Sequence, residues 1–183
     1  MDAVTMLKSD HKRVESLFKQ FEKTSPRASA TRRKVADQIV AELSVHAAIE
    51  EQDFYPAVRK LAPDQEDLAL ESLEEHHVVK WVLSEIEGRD PTDERFQPKM
   101  TVLIDLVRHH VEEEEGQLFP AVRRALSRKE LQQLGDAMQT AKKLAPKHPH
   151  PRSPDTPPAN LVMGAVAGAV DRAREATRDL LTR

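Results

Sequence analysis

His46-Ala-Ala-Ile-Glu50-Glu51-Gln-Asp-Phe54-Tyr55-Pro56 decides the fold, because the chain repeats it 64 residues later as His110-Val-Glu-Glu-Glu114-Glu115-Gly-Gln-Leu118-Phe119-Pro120. Both copies run on into Ala-Val-Arg, and residues 46–60 and 110–124 agree at seven of fifteen positions. A repeat held in register is a stronger signal than any single motif, since chance would have to act twice. A four-residue step on a helix turns through about 400°. His46 and Glu50 therefore share a face one turn apart, and so do His110 and Glu114. An imidazole and a carboxylate presented together, twice, have the makings of a divided metal site.

Upstream, residues 3–23 read as a helix, with Leu7, His11, Val14, Phe18 and Phe21 at 3–4 spacing. Ser25-Pro26 closes it. A second helix starts at Thr31 and carries Val35, Ile39, Leu43, His46, Glu50 and Phe54 on one face. Pro56 is expected to kink or restart it, and Pro63-Asp64 to end it. A third helix, about 65–87, has the stripe Leu70, Leu73, Val79, Leu83 and Ile86. At about 100° per residue, His76 points into that stripe and His77 away from it.

Gly88-Arg-Asp90-Pro91 reads as a helix stop, then an N-cap with Pro at the first helical position. The fourth helix comes next, with Phe96, Leu103, Leu106, Val107, His110 and Glu114 inward and His109 at the flank. Ser127-Arg-Lys-Glu130 is a capping box, which predicts a short fifth helix over 128–144. Six prolines between 146 and 158 read as an extended linker. Residues 159–183 are helical again, with Val162, Val166, Ala169, Ala173, Ala176 and Leu180 as their stripe. The expected organisation is all-α. Residues 1–145 form an up-down-up-down antiparallel four-helix bundle with a short fifth helix, 146–158 a proline-rich linker and 159–183 a C-terminal helical tail.

Composition agrees with long helices and narrows the partners. Charged residues make up 32% and aromatics only 4%, which disfavours a sandwich built on aromatic cross-strand pairs. A net charge of −3 gives no electrostatic case for nucleic acid or an anionic membrane. The absence of cysteine removes disulfides, thiolate ligands and cysteine nucleophiles. The first residues lack the basic and apolar regions of a signal peptide, and no apolar run approaches about 18 residues, so the cytoplasm is the expected compartment. Monomer and homodimer both remain open.

Each of the first four helices carries one inward histidine: His11, His46, His76 and His110. The second and fourth add Glu50 and Glu114. Asp10 precedes His11 and Glu75 precedes His76, so the chain is two αα-hairpins, each supplying His, then His-x-x-x-Glu. One histidine in a helical stripe is ordinarily a hydrogen-bonded core residue. Four of them with two carboxylates in one layer reverse that reading, because buried glutamates without a cation would carry a heavy desolvation cost. Nitrogen and oxygen donors without sulfur suit iron or manganese, and ligand type alone admits zinc. Six ligands fit two ions bridged by Glu50 and Glu114, where a structural zinc site would use four. His77, His109, Glu51 and Glu115 are expected as flanking or ligand-orienting groups. Tyr55 lies about 180° from His46 by helical rotation and reads as packing or support.

The order His11, His46-x-x-x-Glu50, His76, His110-x-x-x-Glu114, with its doubled Glu-Glu and Tyr-Pro or Phe-Pro endings, resembles the hemerythrin-like HHE cation-binding domain over roughly residues 3–125. The resemblance implies a four-helix bundle holding two iron ions joined by an oxo or hydroxo bridge. The fifth helix, linker and tail look like those of actinobacterial hemerythrin-like proteins, which implies catalase-like chemistry on hydrogen peroxide, or nitric-oxide chemistry, in oxidative stress. Oxygen-carrying members use five histidines, with a His-x-x-x-His pair on the third helix. Here Lys80 lies four after His76 and Ser72 four before it. That departure points away from reversible dioxygen carriage. It leaves two expectations: a di-iron catalase- or peroxidase-like enzyme, or a module that binds or senses dioxygen, nitric oxide or iron.

Overall fold

The computed structural model describes residues 1–153 and 167–171. Two antiparallel helical hairpins form the bundle. α1 (Ala3–Glu22) pairs with α2 (Ser29–Ile49), and α4 (Glu66–Ile86) pairs with α5 (Phe96–Glu113). α3 (Tyr55–Leu61) extends α2, α6 (Phe119–Ala125) extends α5, and α7 (Arg128–Lys142) packs across α1 and α2. The expected all-α bundle with a short fifth helix is the fold observed. Among the described residues no helix is long and apolar enough to cross a membrane.

Local chemistry explains most of the boundaries. Asp2 caps α1 by accepting the Thr5 N–H at 3.0 Å. Gly88, at φ +68°, stops α4 in the left-handed region that glycine adopts freely. The Ser127–Glu130 capping box opens α7 as expected. The start of α5 differs from expectation. Asp90 accepts the Thr92 N–H at 2.8 Å, but no helix follows directly from this side-chain turn, and further turn residues intervene before Phe96. Asp93 makes a second such turn with the Arg95 N–H, also at 2.8 Å. Leu70, expected in the α4 stripe, is 42% exposed.

Pro56 and Pro120 shape the site. Each comes just after a single π-helical turn, Glu50–Phe54 in one hairpin and Glu114–Leu118 in the other. Tyr55 N–H donates to the Glu50 carbonyl and Phe119 N–H to the Glu114 carbonyl, five residues back. A proline ring clashes with the carbonyl four residues before it, and the wider turn carries the chain past that clash. The helix widens ahead of Pro56 and resumes as α3, which runs to Leu61.

The core is two apolar clusters with a polar layer between them. One gathers Leu7, Phe54, Tyr55, Phe119, Leu131 and Met138 beneath α7; the other gathers Phe18, Phe21, Ile39, Leu83, Phe96 and Met100. α7 seats closely on the start of α1. A Cβ at Gly135 would lie 2.3 Å from the Met1 carbonyl oxygen and 2.8 Å from the Ala3 nitrogen. Of the expected linker, 146–153 is described and lies against the bundle with Pro146 and Pro149 buried. Of the expected 159–183 helix, 167–171 is helical and the remainder lies outside the described residues.

Candidate metal centre

All six residues expected to form the site converge in the polar layer, and all are buried. Glu50 Oε2 lies 3.1 Å from His46 Nε2 and 3.4 Å from His76 Nε2. Glu114 Oε2 lies 3.3 Å from His11 Nε2 and 3.5 Å from His110 Nε2. Each glutamate therefore reaches one imidazole from each hairpin through a single oxygen. The donors fall into two adjoining groups that share Glu50: His11, His46, Glu50 and Glu114, and then Glu50, His76 and His110. An ion with bonds of about 2.1 Å holds neighbouring ligand atoms about 3 Å apart, close to these separations.

Behind each imidazole stands a carboxylate. His11 Nδ1 meets Glu115 Oε1 at 2.9 Å, His76 Nδ1 meets Glu51 Oε1 at 3.2 Å, and His110 Nδ1 meets Glu75 Oε2 at 2.6 Å. Asp10 Oδ2 is 3.9 Å from His46 Nδ1, beyond hydrogen-bonding range. A carboxylate at Nδ1 keeps the proton there and turns Nε2 toward a cation. The pattern crosses the hairpins: the residue after each inward glutamate supports the other hairpin's first histidine. Glu51 and Glu115, expected only as flanking or orienting groups, thus stand against the imidazoles of His76 and His11. His77 and His109 are exposed.

Sequence reasoning left Asp10 and Glu75 without a role, although an acid before each hairpin's first histidine was a visible repeat. It also missed the lysines that pair with these carboxylates. Lys8 reaches Glu115 at 3.1 Å, Lys80 reaches Glu51 at 2.8 Å, and Lys142 reaches Asp10 at 2.6 Å. These pairings depend on which helices meet, and spacing along one helix carries no signal of them.

Tyr55 departs most from its expected place. Its hydroxyl donates to Glu114 Oε1 at 3.0 Å and lies 3.3 Å from His76 Nε2. A turn closed by i→i+5 bonds takes one residue more than an α turn, so the residues beyond it lag by about 100°. That lag swings Tyr55 from the far side of the helix to the site. Phe119, its counterpart in the repeat, stacks on His11 at 5.6 Å and 10°. The second hairpin carries an aromatic ring there, but no hydroxyl.

Burial and mutual charge set the ionisation. Burial, then the charge of Glu114, pushes the Glu50 carboxyl well above its usual range. Burial also opposes ionisation of Glu114, but the His110, His11 and His46 imidazoles outweigh it and hold Glu114 down at about 2. Burial keeps His46 and His76 below the ordinary imidazole range, hence neutral, the form that ligates metals. His11 Nε2, His46 Nε2, both Glu50 oxygens and Glu114 Oε2 have no hydrogen-bond partner among the described residues. Buried polar atoms without partners are costly, and these all face one another. A bound cation would satisfy them together, so the donor set fits a metal centre.

The hemerythrin HHE cation-binding domain family model matches residues 2–122. An uncharacterized hemerythrin-like protein of Schizosaccharomyces pombe is 29% identical over 167 residues, covering 91% of this chain and 81% of that one. A DNA nickase of Nostoc sp. is 28% identical over 142 residues, 78% of this chain but only 39% of that protein. Among solved structures, a hemerythrin HHE cation-binding domain-containing protein from Mycobacterium kansasii shares the fold. Its TM-score is 0.66 at 23% identity, over 78% of this chain and 86% of that one. The family match covers both copies of the His-x-x-x-Glu repeat and both π-helical turns, and on it the chain belongs to the hemerythrin HHE cation-binding domain family.

Proposed function

We propose that His11, His46, Glu50, His76, His110 and Glu114 hold two iron ions, and that the protein decomposes hydrogen peroxide there or handles related reactive oxygen and nitrogen species. One observation carries this reading: six buried donors in two adjoining groups, with atoms of His11, His46, Glu50 and Glu114 lacking any hydrogen-bond partner among the described residues. The bound iron would supply open coordination positions and reversible electron storage.

The chain's own residues do the rest. The partner carboxylates keep protons on Nδ1 of the supported imidazoles and aim Nε2 inward. Tyr55 holds a proton at Oη beside Glu114 Oε1, and burial raises its pKa well above the usual phenol range, so the hydroxyl stays protonated. Beside the donors is an internal cavity of about 20 Å³, walled by the four imidazoles with Val14, Val79, Val107 and Val111 among its apolar residues. That volume accommodates about one water-sized molecule, the scale of a small inorganic ligand. A groove of about 970 Å³ between α1 and α5 reaches His11 and shares Val14, Val107 and Val111 with this cavity. The chain spans about two fifths of the Nostoc protein's length, and the activity named there is that protein's.

The test is dioxygen evolution from peroxide by iron-loaded protein. Activity above that of free iron, lost in His110→Ala, is expected. Activity equal to free iron and unchanged in that variant would sink the enzymatic reading.

A second reading, a sensing module, is favoured by one contact. Asp171, buried in the described part of the tail, accepts the Lys147 and His148 N–H groups at 3.2 Å each. Ala167 and Pro149 border a small cavity with Glu51 and Lys80, next to His76. Protease protection of 159–183 that differs between oxidised and reduced protein would support it, and equal protection would count against it.

A further inference from the structure

The four imidazoles are not supported equally, and the differences track the lysines. Glu75 has no lysine or arginine bonded to it among the described residues, and its distance to His110 Nδ1 is the shortest, 2.6 Å. Glu115 gives Oε2 to Lys8 and keeps Oε1 for His11, at 2.9 Å. Glu51 gives both oxygens to Lys80, at 2.8 and 3.0 Å, and stands 3.2 Å from His76. Asp10 gives both oxygens to Lys142 at 2.6 Å, and its gap to His46 opens to 3.9 Å. The more completely a lysine takes the carboxylate, the further that carboxylate stands from its histidine.

His46 is the limit of the series. Its ring is buried, and Nδ1 finds no hydrogen-bond partner among the described residues. With Nε2 turned to a cation, Nδ1 carries a buried N–H whose nearest acceptor is held away. A charge-assisted bond from an ammonium outcompetes one from a neutral imidazole. Lys142 closes α7, which lies beyond the residues matched by the family model. α7 is held firmly enough to act, because its backbone abuts the start of α1 at Gly135.

We infer that Lys142 is a positioning residue that draws Asp10 off His46 and so makes the two halves of the centre unequal. The inference rests on the reading of His46 as a metal ligand. A carboxylate at Nδ1 fixes the ring and strengthens the imidazole as a donor. The His11–His46 half, with one supported ring, binds its cation more weakly than the His76–His110 half, with two. Lys142 thereby sets which half fills last and empties first.

Zinc(II) serves as the probe, because it is diamagnetic and redox-inert. Competition with a chromophoric chelator resolves two binding steps, and proton NMR of the zinc-loaded protein tracks the imidazole N–H resonances. Lys142→Met frees Asp10 to meet His46. It should tighten the weaker step by roughly tenfold, the scale on which such partners act, leave the stronger step unchanged, and shift the His46 N–H signal downfield toward the other three. Lys142→Arg should behave as wild type. Asp10→Asn should leave the weaker step close to its wild-type value, and adding Lys142→Met to it should change nothing further. The inference is overturned if Lys142→Met leaves that step unchanged or loosens it, or if its effect persists in the Asp10→Asn background. His46→Ala separates the two levels: it should leave one zinc ion per chain, and two would show that the ligand assignment itself had failed.

Discussion

Glu50 has no solvent exposure and shares its layer with a second buried carboxylate and four imidazoles. Its folded-state pKa is raised above 4.5. Between 4.5 and that raised value the metal-free native state binds more protons than the unfolded one, so stability falls as pH rises. The slope is at most about 1.4 kcal/mol per pH unit. Glu50→Gln removes this penalty. The metal-free variant should be more stable than wild type by a margin that grows from pH 5 upward in urea melts, while its metal binding collapses. A margin independent of pH would contradict the assignment. Tyr55→Phe makes the first hairpin match the second, where Phe119 stands. Iron content should be unchanged and peroxide decomposition should fall by about tenfold or more, if the Oη proton takes part in turnover. Unchanged activity would confine Tyr55 to packing. The six candidate ligands were legible in the sequence because each rests on helical periodicity within one element. The Tyr55 hydroxyl was not, because the 100° rule fails across a π-helical turn.

At the scale of elements, the repeat that revealed the ligands also encodes the turns just beyond them. Pro56 and Pro120 each sit just past a π-helical turn. Glu51 and Glu115 lie inside those turns, each positioned for the first histidine of the opposite hairpin. The start of α5 was misread because Asp90-Pro91 satisfies the local rule for a helix start, while the chain first spends further turn residues crossing between helices. α7 was read correctly from its capping box, yet its function was invisible. Lys142 looks like any basic residue in a last helical turn until tertiary packing brings Asp10 to it. That packing gives a prediction of its own. At Gly135 the obstructing atoms are backbone, which cannot swing aside, so Gly135→Ala should cost about 1–3 kcal/mol and lower the thermal midpoint accordingly. A midpoint at or above that of wild type would contradict the close seating of α7.

Across the whole molecule, two similar hairpins enclose one centre between two apolar clusters, and each hairpin supplies three of the six donors. The near-symmetry is broken in two places: a hydroxyl at Tyr55 but none at Phe119, and Lys142 beside Asp10 but no lysine or arginine beside Glu75 among the described residues. These set the two halves of the donor set apart, and each takes its place through contacts between elements rather than within one. The fold and the donor set came through periodicity; the asymmetry came only through packing. The central claim is that the six donors together bind two cations, and anaerobic titration of the metal-free protein with iron(II), with metal analysis after desalting, tests it most directly. Close to two iron ions per chain are expected in the wild type and one or fewer in Glu50→Ala, which removes the carboxylate shared by both groups. Retention of less than one ion by the wild type, or of two by Glu50→Ala, would contradict the claim.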